Sequence, residues 1–290
     1  MASAIFCTIA TVIAAEFLFL SFLFAVRWIE SYDPDVHSGR SWLGSIAENG
    51  FAPFGVFMAE LVYSIMYLAL LAAWFPSKYF RGDRIFFDPE KLTPGSPAVI
   101  LIHGLFGKPF HMWLFKRELE RRGVQNVVMF SYKGGDLPLA DIRVQLRDTV
   151  MRVKVKTGVE DVALIGHSFG GLVAFDYAME HGKSGSVKAI VTMATPFAGS
   201  KLAALGLSAL ARSLHPSNPY FSLVKTLKPR APFLCIHSVH DQFVVPHSSA
   251  SHPLAEEGME SPRHGHSGFC FDPSVIKAAA DWVEPKVKGA

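Results

Sequence analysis

Ser168 stands in Gly166-His167-Ser168-Phe169-Gly170-Gly171, directly after the apolar run Val162 to Ile165. Four apolar residues suit a short buried strand, and the residues after the glycines read as an apolar helix. A serine between small residues on so tight a strand-to-helix turn has its hydroxyl lifted clear of the backbone. It also lies at a helix N-terminus, whose free N–H groups favour developing negative charge. That is the setting of a nucleophilic serine. A pentapeptide of this kind also arises by chance in loops containing Gly and Ser, so the chain must supply a base, an orienting acid and further donors elsewhere.

It holds candidates for each. Ala98 to Ile102 is a second short strand pattern, and it runs into His103-Gly104-Leu105-Phe106-Gly107. Phe233 to Ser238 is an apolar strand candidate leading into Val239-His240-Asp241-Gln242, and a late Gly-rich loop, His264-Gly265-His266-Ser267-Gly268-Phe269, precedes a helix pattern over Pro273 to Val283. Together with Ala194-Thr195-Pro196-Phe197-Ala198-Gly199-Ser200, the His-Gly and Gly-x-Ser-x-Gly segments resemble the bacterial lipases of the α/β-hydrolase superfamily, in order and in separation, over roughly Pro97 to Val283. The resemblance implies an α/β-hydrolase fold and a serine ester hydrolase, with the triad in the chain order Ser, acid, His. Ser168 is then the nucleophile, Asp241 the acid and His266 the base, and the backbone N–H groups of Leu105 and Phe169 form the oxyanion hole. Each such donor can contribute roughly 3 kcal/mol, and backbone donors leave the Leu and Phe side chains free to face an acyl chain. Asp241 could be an ordinary turn residue, but the Phe243-Val244-Val245-Pro246 that follows resembles the segment after the acid in these enzymes. His266 fits the histidine loop, Gly-His-x-Gly-Phe, better than His264 does. His103 and His167 flank the site, with packing or supporting hydrogen bonds as their expected duty.

The elements that must position these residues follow from periodicity. Lys116 to Arg122 reads as helix, Asn126 to Phe130 as strand and Asp141 to Lys156 as a charged amphipathic helix. The alternation predicts βαβ units and a mostly parallel sheet with flanking helices, an α/β class. Residues 201–215 read as one apolar helix with Leu207, Leu210 and Leu214 on a stripe. That helix is either ordinary core or a lid over the acyl pocket, where related lipases carry such elements.

Half of the 290 residues are hydrophobic, 18% are charged and the mean hydropathy is +0.27. The excess lies in residues 1–76, ahead of a linker over 77–95 and a catalytic domain over 96–290. Spans over 4–26 and 51–75 each hold one charge, Glu16 and Glu60, and predict two transmembrane helices in a hairpin. A cleaved signal peptide is disfavoured, because there is no basic n-region and the apolar stretch is too long. Arg27 and Arg40 lie between the spans, whereas Lys78, Arg81, Arg84 and Lys91 follow them, so the basic-residue bias predicts a cytoplasmic catalytic domain. Glu16 and Glu60 fall at similar depth, which predicts that they are neutral and hydrogen-bonded to each other or across a homo-oligomer. With a net charge of +3 and no basic run interleaved with aromatics, nucleic acid is not an expected partner. Cys7, Cys235 and Cys270 make no disulfide framework. The twelve histidines show no zinc spacing, so His237, His240, His247 and His252 read as loop or core residues. No acid cluster suits the structural calcium that many bacterial lipases carry. The expectation is therefore a membrane-anchored hydrolase of lipid acyl esters with no metal or cofactor. An acyltransferase or thioesterase using the same triad, and an inactive membrane scaffold, are the alternatives.

Overall fold

The structure, a computed structural model, describes residues 2–31, 52–81, 87–132, 137–181, 186–261 and 263–289. Its centre is a six-stranded parallel sheet in the order β2-β1-β3-β4-β5-β6. The strands are β1 (Ala98–Ile102), β2 (Asn126–Phe130), β3 (Val162–His167), β4 (Val187–Met193), β5 (Phe233–His237) and β6 (Glu257–Glu260). Every residue of β1, β2 and β3 is buried, as expected of parallel strands covered on both faces. Period two still sorts the side chains. Val99, Leu101 and Ile165 pack under α3 (Trp113–Arg121) and α9 (Pro273–Lys288), whereas Ile100, Ile102 and Leu164 pack under α4 (Leu139–Thr157) and α5 (Phe169–His181). The four strands legible in the sequence are joined by β4, whose Lys188 and Thr192 interrupt its apolar run, and by β6, a charged edge strand. The last helix starts under an Asp272 cap with Pro273 at its first turn, and it runs past the predicted Val283 to Lys288.

Residues 201–215 are not one helix. Lys201–Leu205 is a 3₁₀ turn, and α6 (Ala209–Ser213) starts anew with the Ser208 hydroxyl capping Ala211 N–H at 3.1 Å. Serine competes with the helix by capping, and Gly206 sits where an added Cβ would lie 2.9 Å from the Ala203 carbonyl oxygen. Leu207, expected on the apolar stripe, is consequently 94% exposed. A further short helix, α7 (Pro219–Val224), follows.

Helices α1 (Ala2–Ser31) and α2 (Ala52–Arg81) form an antiparallel pair held by Leu20, Leu23 and Leu61 and by edge-on contacts of Phe17 and Phe24 with Phe57. Helix α2 continues through Pro76 to Arg81, so the predicted linker is partly helical. Proline removes one backbone hydrogen bond, and here that leaves the flanking turns intact. Glu16 and Glu60 do not meet. The Ser64 hydroxyl donates to the Glu16 carboxylate, and Glu60 turns onto the catalytic domain. The reason is donor supply: a carboxylate accepts only, so two of them need a shared proton, whereas the domain offers Glu60 three N–H donors. The pair lies along the domain. Arg27 donates to the Val239 carbonyl, Lys201 meets Glu30 at 2.5 Å, Phe19 touches Phe243, and Tyr63, Tyr67 and Leu71 pack on the same core as β1 and α9. The opposite side of the pair, including Leu18, Phe22, Phe54, Val62 and Met66, is exposed.

Helix α5 can approach the sheet because Gly170 and Gly171 in its first turn, and Gly166 on the strand before it, carry no side chains. A Cβ on Gly170 would lie 2.5 Å from the His103 carbonyl oxygen, and one on Gly166 would lie 2.6 Å from Gly171 Cα. Gly170→Ala is therefore expected to lower stability by about 1–3 kcal/mol through overpacking against backbone, measured as a fall in the thermal midpoint of the detergent-solubilised protein.

Candidate active site

Among the described residues, three that are not glycine adopt positive φ: Phe106 at 57°, Ser168 at 55° and Ala194 at 50°. Each follows the C-terminal end of one of three adjacent strands, β1, β3 and β4, so backbone strain is gathered at one rim of the sheet, where open parallel sheets bind ligands. Ser168 is held there by its own N–H, which donates to the Met193 carbonyl at 2.7 Å, and by its carbonyl, which accepts from Gly171 N–H at 2.9 Å.

Asp241, on the loop after β5, is fully buried. Its Oδ1 accepts the Phe243 and Val244 N–H groups at 2.8 and 2.9 Å, and its carboxylate faces His266 Nδ1 at 2.8 Å (Oδ2) and 3.0 Å (Oδ1). Burial alone would raise this carboxyl's pKa. The His266 charge, its hydrogen bond and the two backbone donors outweigh burial and hold it below the ordinary value. Burial likewise opposes charge on His266, but Asp241, as charge and as hydrogen-bond partner, and then the Glu60 charge push its pKa above the 6.5 of a free imidazole. The neighbouring rings behave differently. Burial, followed by the positive field of His266, drives His167 down to about 3, and burial takes His103 down to about 4. His111 is pushed well down by burial and by His167, His103 and His266. His264 is turned away, with Nε2 at 2.9 Å from Asp272 Oδ2 and Nδ1 on the Ser261 hydroxyl.

Thus Asp241 and His266 come together and His264 does not join them. Ser168 is half-buried beside them. His167 Nε2 lies 3.0 Å from the His266 carbonyl oxygen, and the two rings are 4.7 Å apart, but among the described residues the Ser168 hydroxyl makes no hydrogen bond to the His266 ring. The expected oxyanion donors sit on either side of the serine. Phe169 opens α5, so its N–H has no partner within the helix. Leu105 lies on the turn after β1, and a Cβ on Gly104 would be 3.0 Å from Ser168 Cβ, so the two loops touch. The peptide between Gly104 and Leu105 is oriented through its carbonyl, which accepts from the Tyr132 hydroxyl at 2.8 Å and from Gly107 N–H at 3.1 Å. Because a trans peptide holds C=O and N–H antiparallel, those bonds also aim the Leu105 N–H.

Sequence reasoning missed four participants. Tyr132 follows β2 and carried no motif. Gln242 adjoins Asp241; its Oε1 accepts His266 N–H at 2.9 Å and its Nε2 donates to Glu60 Oε2 at 3.0 Å. Glu60, fully buried, also accepts Ser267 N–H at 2.8 Å and Gly268 N–H at 2.7 Å. Tyr67 stacks on His111 with ring centres 3.7 Å apart and donates to the Phe106 carbonyl at 3.3 Å. The available signal was spacing: Glu60, Tyr63, Tyr67 and Leu71 recur every three or four residues, so polar and aromatic groups share one face of an otherwise apolar helix. No group of three or more His, Cys, Asp or Glu side chains among the described residues is arranged to hold a metal ion.

A family model described as the alpha/beta hydrolase fold matches residues 97–214. No curated protein matches the chain in sequence. Among solved structures, the chain is similar to the mature Bacillus licheniformis lipase BlEst2, with a TM-score of 0.53 and 16% identity over 67% of this chain and 93% of that one. It is also similar to a Paleococcus ferrophilus monoacylglycerol lipase, with a TM-score of 0.52 and 18% identity over 67% of this chain and 96% of that one. Aspergillus fumigatus lipase B gives a TM-score of 0.53 at 18% identity over 68% of this chain, which spans about half of that enzyme, 54%. The sheet order, the strained turn after β3 and these likenesses agree: residues 97 onward form an α/β-hydrolase fold, shared with lipases and esterases.

Proposed function

We propose that the protein is a serine hydrolase of lipid carboxylic esters, working through a covalent acyl-enzyme. The observation that carries this reading is the buried Asp241–His266 pair on the loops beside a serine in the strained turn after β3. Ser168 Oγ attacks the acyl carbon while His266 Nε2 takes its proton, and Asp241 keeps the proton on Nδ1 so that Nε2 is free to accept. The oxyanion accepts hydrogen bonds from the Leu105 and Phe169 N–H groups. The tetrahedral species then expels the alcohol, which takes the proton back from His266, and water repeats the sequence on the acyl-Ser168 ester to release the acid. The Ser168–His266 hydrogen bond that the reaction requires is of the kind that tightens in the complex with substrate.

Two features support a lipid substrate. A cavity of about 270 Å³ lined by Leu139, Phe169, Leu172, Leu214 and Phe221 adjoins the helix that carries the Phe169 donor. The N-terminal pair also presents an apolar outer face beside the site, which would hold the domain at a bilayer and raise the effective concentration of its substrate. α1 and α2 contain segments long enough to span, Cys7–Glu30 and Phe54–Ala72. Their contacts with the domain, from Glu30 to Leu71, favour a pair lying in one leaflet over two crossing helices; it is two crossing helices for which the basic-residue bias places the domain on the cytoplasmic side.

Ser168→Ala should abolish fluorophosphonate labelling and lower kcat for acyl esters by more than about 10⁴-fold, with long-chain esters preferred by the wild type. Free acid as the sole product, with glycerol present, would mark hydrolysis, whereas a transferred acyl chain would mark acyl transfer. A wild type that is folded and unlabelled would mark an inactive scaffold. Because only neutral His266 can accept a proton and its pKa is raised, kcat/KM should be lost as pH falls through a midpoint above 6.5. Asp241→Asn removes the larger of the two influences that raise that pKa and leaves burial opposed only by Glu60, so the midpoint should move to lower pH while kcat falls about 10⁴-fold. A single cysteine placed between α1 and α2 should react with an impermeant maleimide from the same side of a vesicle as the domain; protection from that side would establish two spans instead.

A further inference from the structure

Glu60 lies on a helix whose composition reads as membrane, yet its carboxylate is fully buried against the loop that carries His266. Ser267 N–H and Gly268 N–H, the two amides after His266, donate to it at 2.8 and 2.7 Å, and the Gln242 amide donates to it at 3.0 Å. The other end of that amide, Gln242 Oε1, accepts the N–H of His266 itself at 2.9 Å. The loop is shaped for this visitor: a Cβ on Gly265 would lie 2.5 Å from Glu60 Cδ and 2.6 Å from Gln242 Oε1, so only glycine leaves room. We propose that Glu60 is a positioning residue for the base, and that docking of the N-terminal helices on the catalytic domain is therefore a condition of its activity. The proposal rests on the reading of Ser168, Asp241 and His266 given above.

The network is directional. Gln242 must present its oxygen to His266 N–H and its nitrogen to residue 60, and this is satisfied only if residue 60 accepts. Asp241 grips the His266 ring at Nδ1, Gln242 holds the His266 N–H, and Glu60 grips the two main-chain N–H groups that follow it. The ring's position then depends on both carboxylates, one from the domain and one from the helix. Cutting α2 away would leave two backbone N–H groups and an amide without their acceptor in a region otherwise shielded from water, and the loop would rearrange to satisfy them.

The experiment uses the full chain in detergent micelles, a fluorophosphonate probe and a short-chain soluble ester, so that substrate delivery by a membrane plays no part. In Glu60→Gln, one amide N–H must face another donor whichever way the two side chains are turned. The expected result is a 10- to 100-fold fall, as an order of magnitude of about that size, in kcat and in labelling rate, with KM nearly unchanged. The swapped pair Glu60→Gln with Gln242→Glu restores an acceptor at 242 for both His266 N–H and the residue 60 amide, and should recover part of the loss. Should Glu60→Gln fail to fold, Gln242→Leu decides, since it cuts the link to His266 and keeps both backbone bonds to Glu60; it should show the same fall in kcat at constant KM. The proposal is overturned if kcat is unchanged in the folded single variant, if only KM rises, or if the swapped pair recovers nothing. A wild type that does not label would instead remove the hydrolase reading on which the proposal stands.

Discussion

The loop that bears His266 is suspended between two buried carboxylates, and this is the constraint on which the site depends. Taking a carboxylate out of water costs several kcal/mol unless hydrogen bonds and opposite charge compensate it. Asp241 is compensated by the Phe243 and Val244 N–H groups and by the imidazole, and Glu60 by the Ser267 and Gly268 N–H groups and by Gln242. Neither carboxylate can be buried unless the loop is in place, and the loop, with only the four-residue helix α8 (Gly268–Phe271) behind it, has little regular structure to place itself. Loop and acids fix one another. Such mutual dependence makes a short segment behave as one unit, because losing any one partner strands the others in a place where water cannot replace it.

The sheet supplies the other half. Parallel strands with every side chain buried leave no freedom of register, since a slip of one residue would exchange the two apolar cores that flank β1 and β3. Rigidity of that kind allows Phe106, Ser168 and Ala194 to be held at positive φ, each at a cost of order 1–3 kcal/mol met by the packing behind it. The serine's flanking N–H groups are thereby aimed from two directions, by the start of α5 and by a peptide whose carbonyl is tied to Tyr132. In the proposed reaction these donors would need no reorganisation as charge develops, which is the main advantage that a fixed site has over water.

What could be read from the chain divides along the same line. Val162 to Ile165 and Ala98 to Ile102 are legible because a short unbroken apolar run between glycine-rich turns has few other uses. Asp241 and His266 were legible through the segments around them, and the structure brings their side chains together. Residues 201–215 were misread because apolar content was weighed above Gly206 and Ser208, the two positions that break and restart the helix. The partners of Tyr132, Gln242 and Glu60 were illegible for a different reason, although the spacing of Glu60 with Tyr63 and Tyr67 marked its face of the helix. Each of the three acts through a tertiary contact with a main-chain group, and a backbone N–H or carbonyl leaves no mark on the sequence of the residue that owns it.

Glu60 shows where hydropathy reasoning stops. A window average registers how apolar a helix is and cannot tell whether its single acid faces lipid, another helix or a folded domain. Cost separates the cases: in hydrocarbon the acid must find a proton or a cation, whereas against a loop it meets N–H donors whose own burial would otherwise be unfavourable. The neighbours on the same face decide in favour of the second. Tyr63 stacks on Phe271 and reaches Asp272, and Tyr67 stacks on His111, so the polar atoms of this stripe find partners on the hydrolase domain while Val62 and Met66, one position away from the stripe, are exposed. A helix with an inner face specific for a protein surface and an outer face that is merely apolar has two tasks. Ser64, one turn from Glu60, joins the helix to α1, whereas Glu60 joins it to the loop that bears His266.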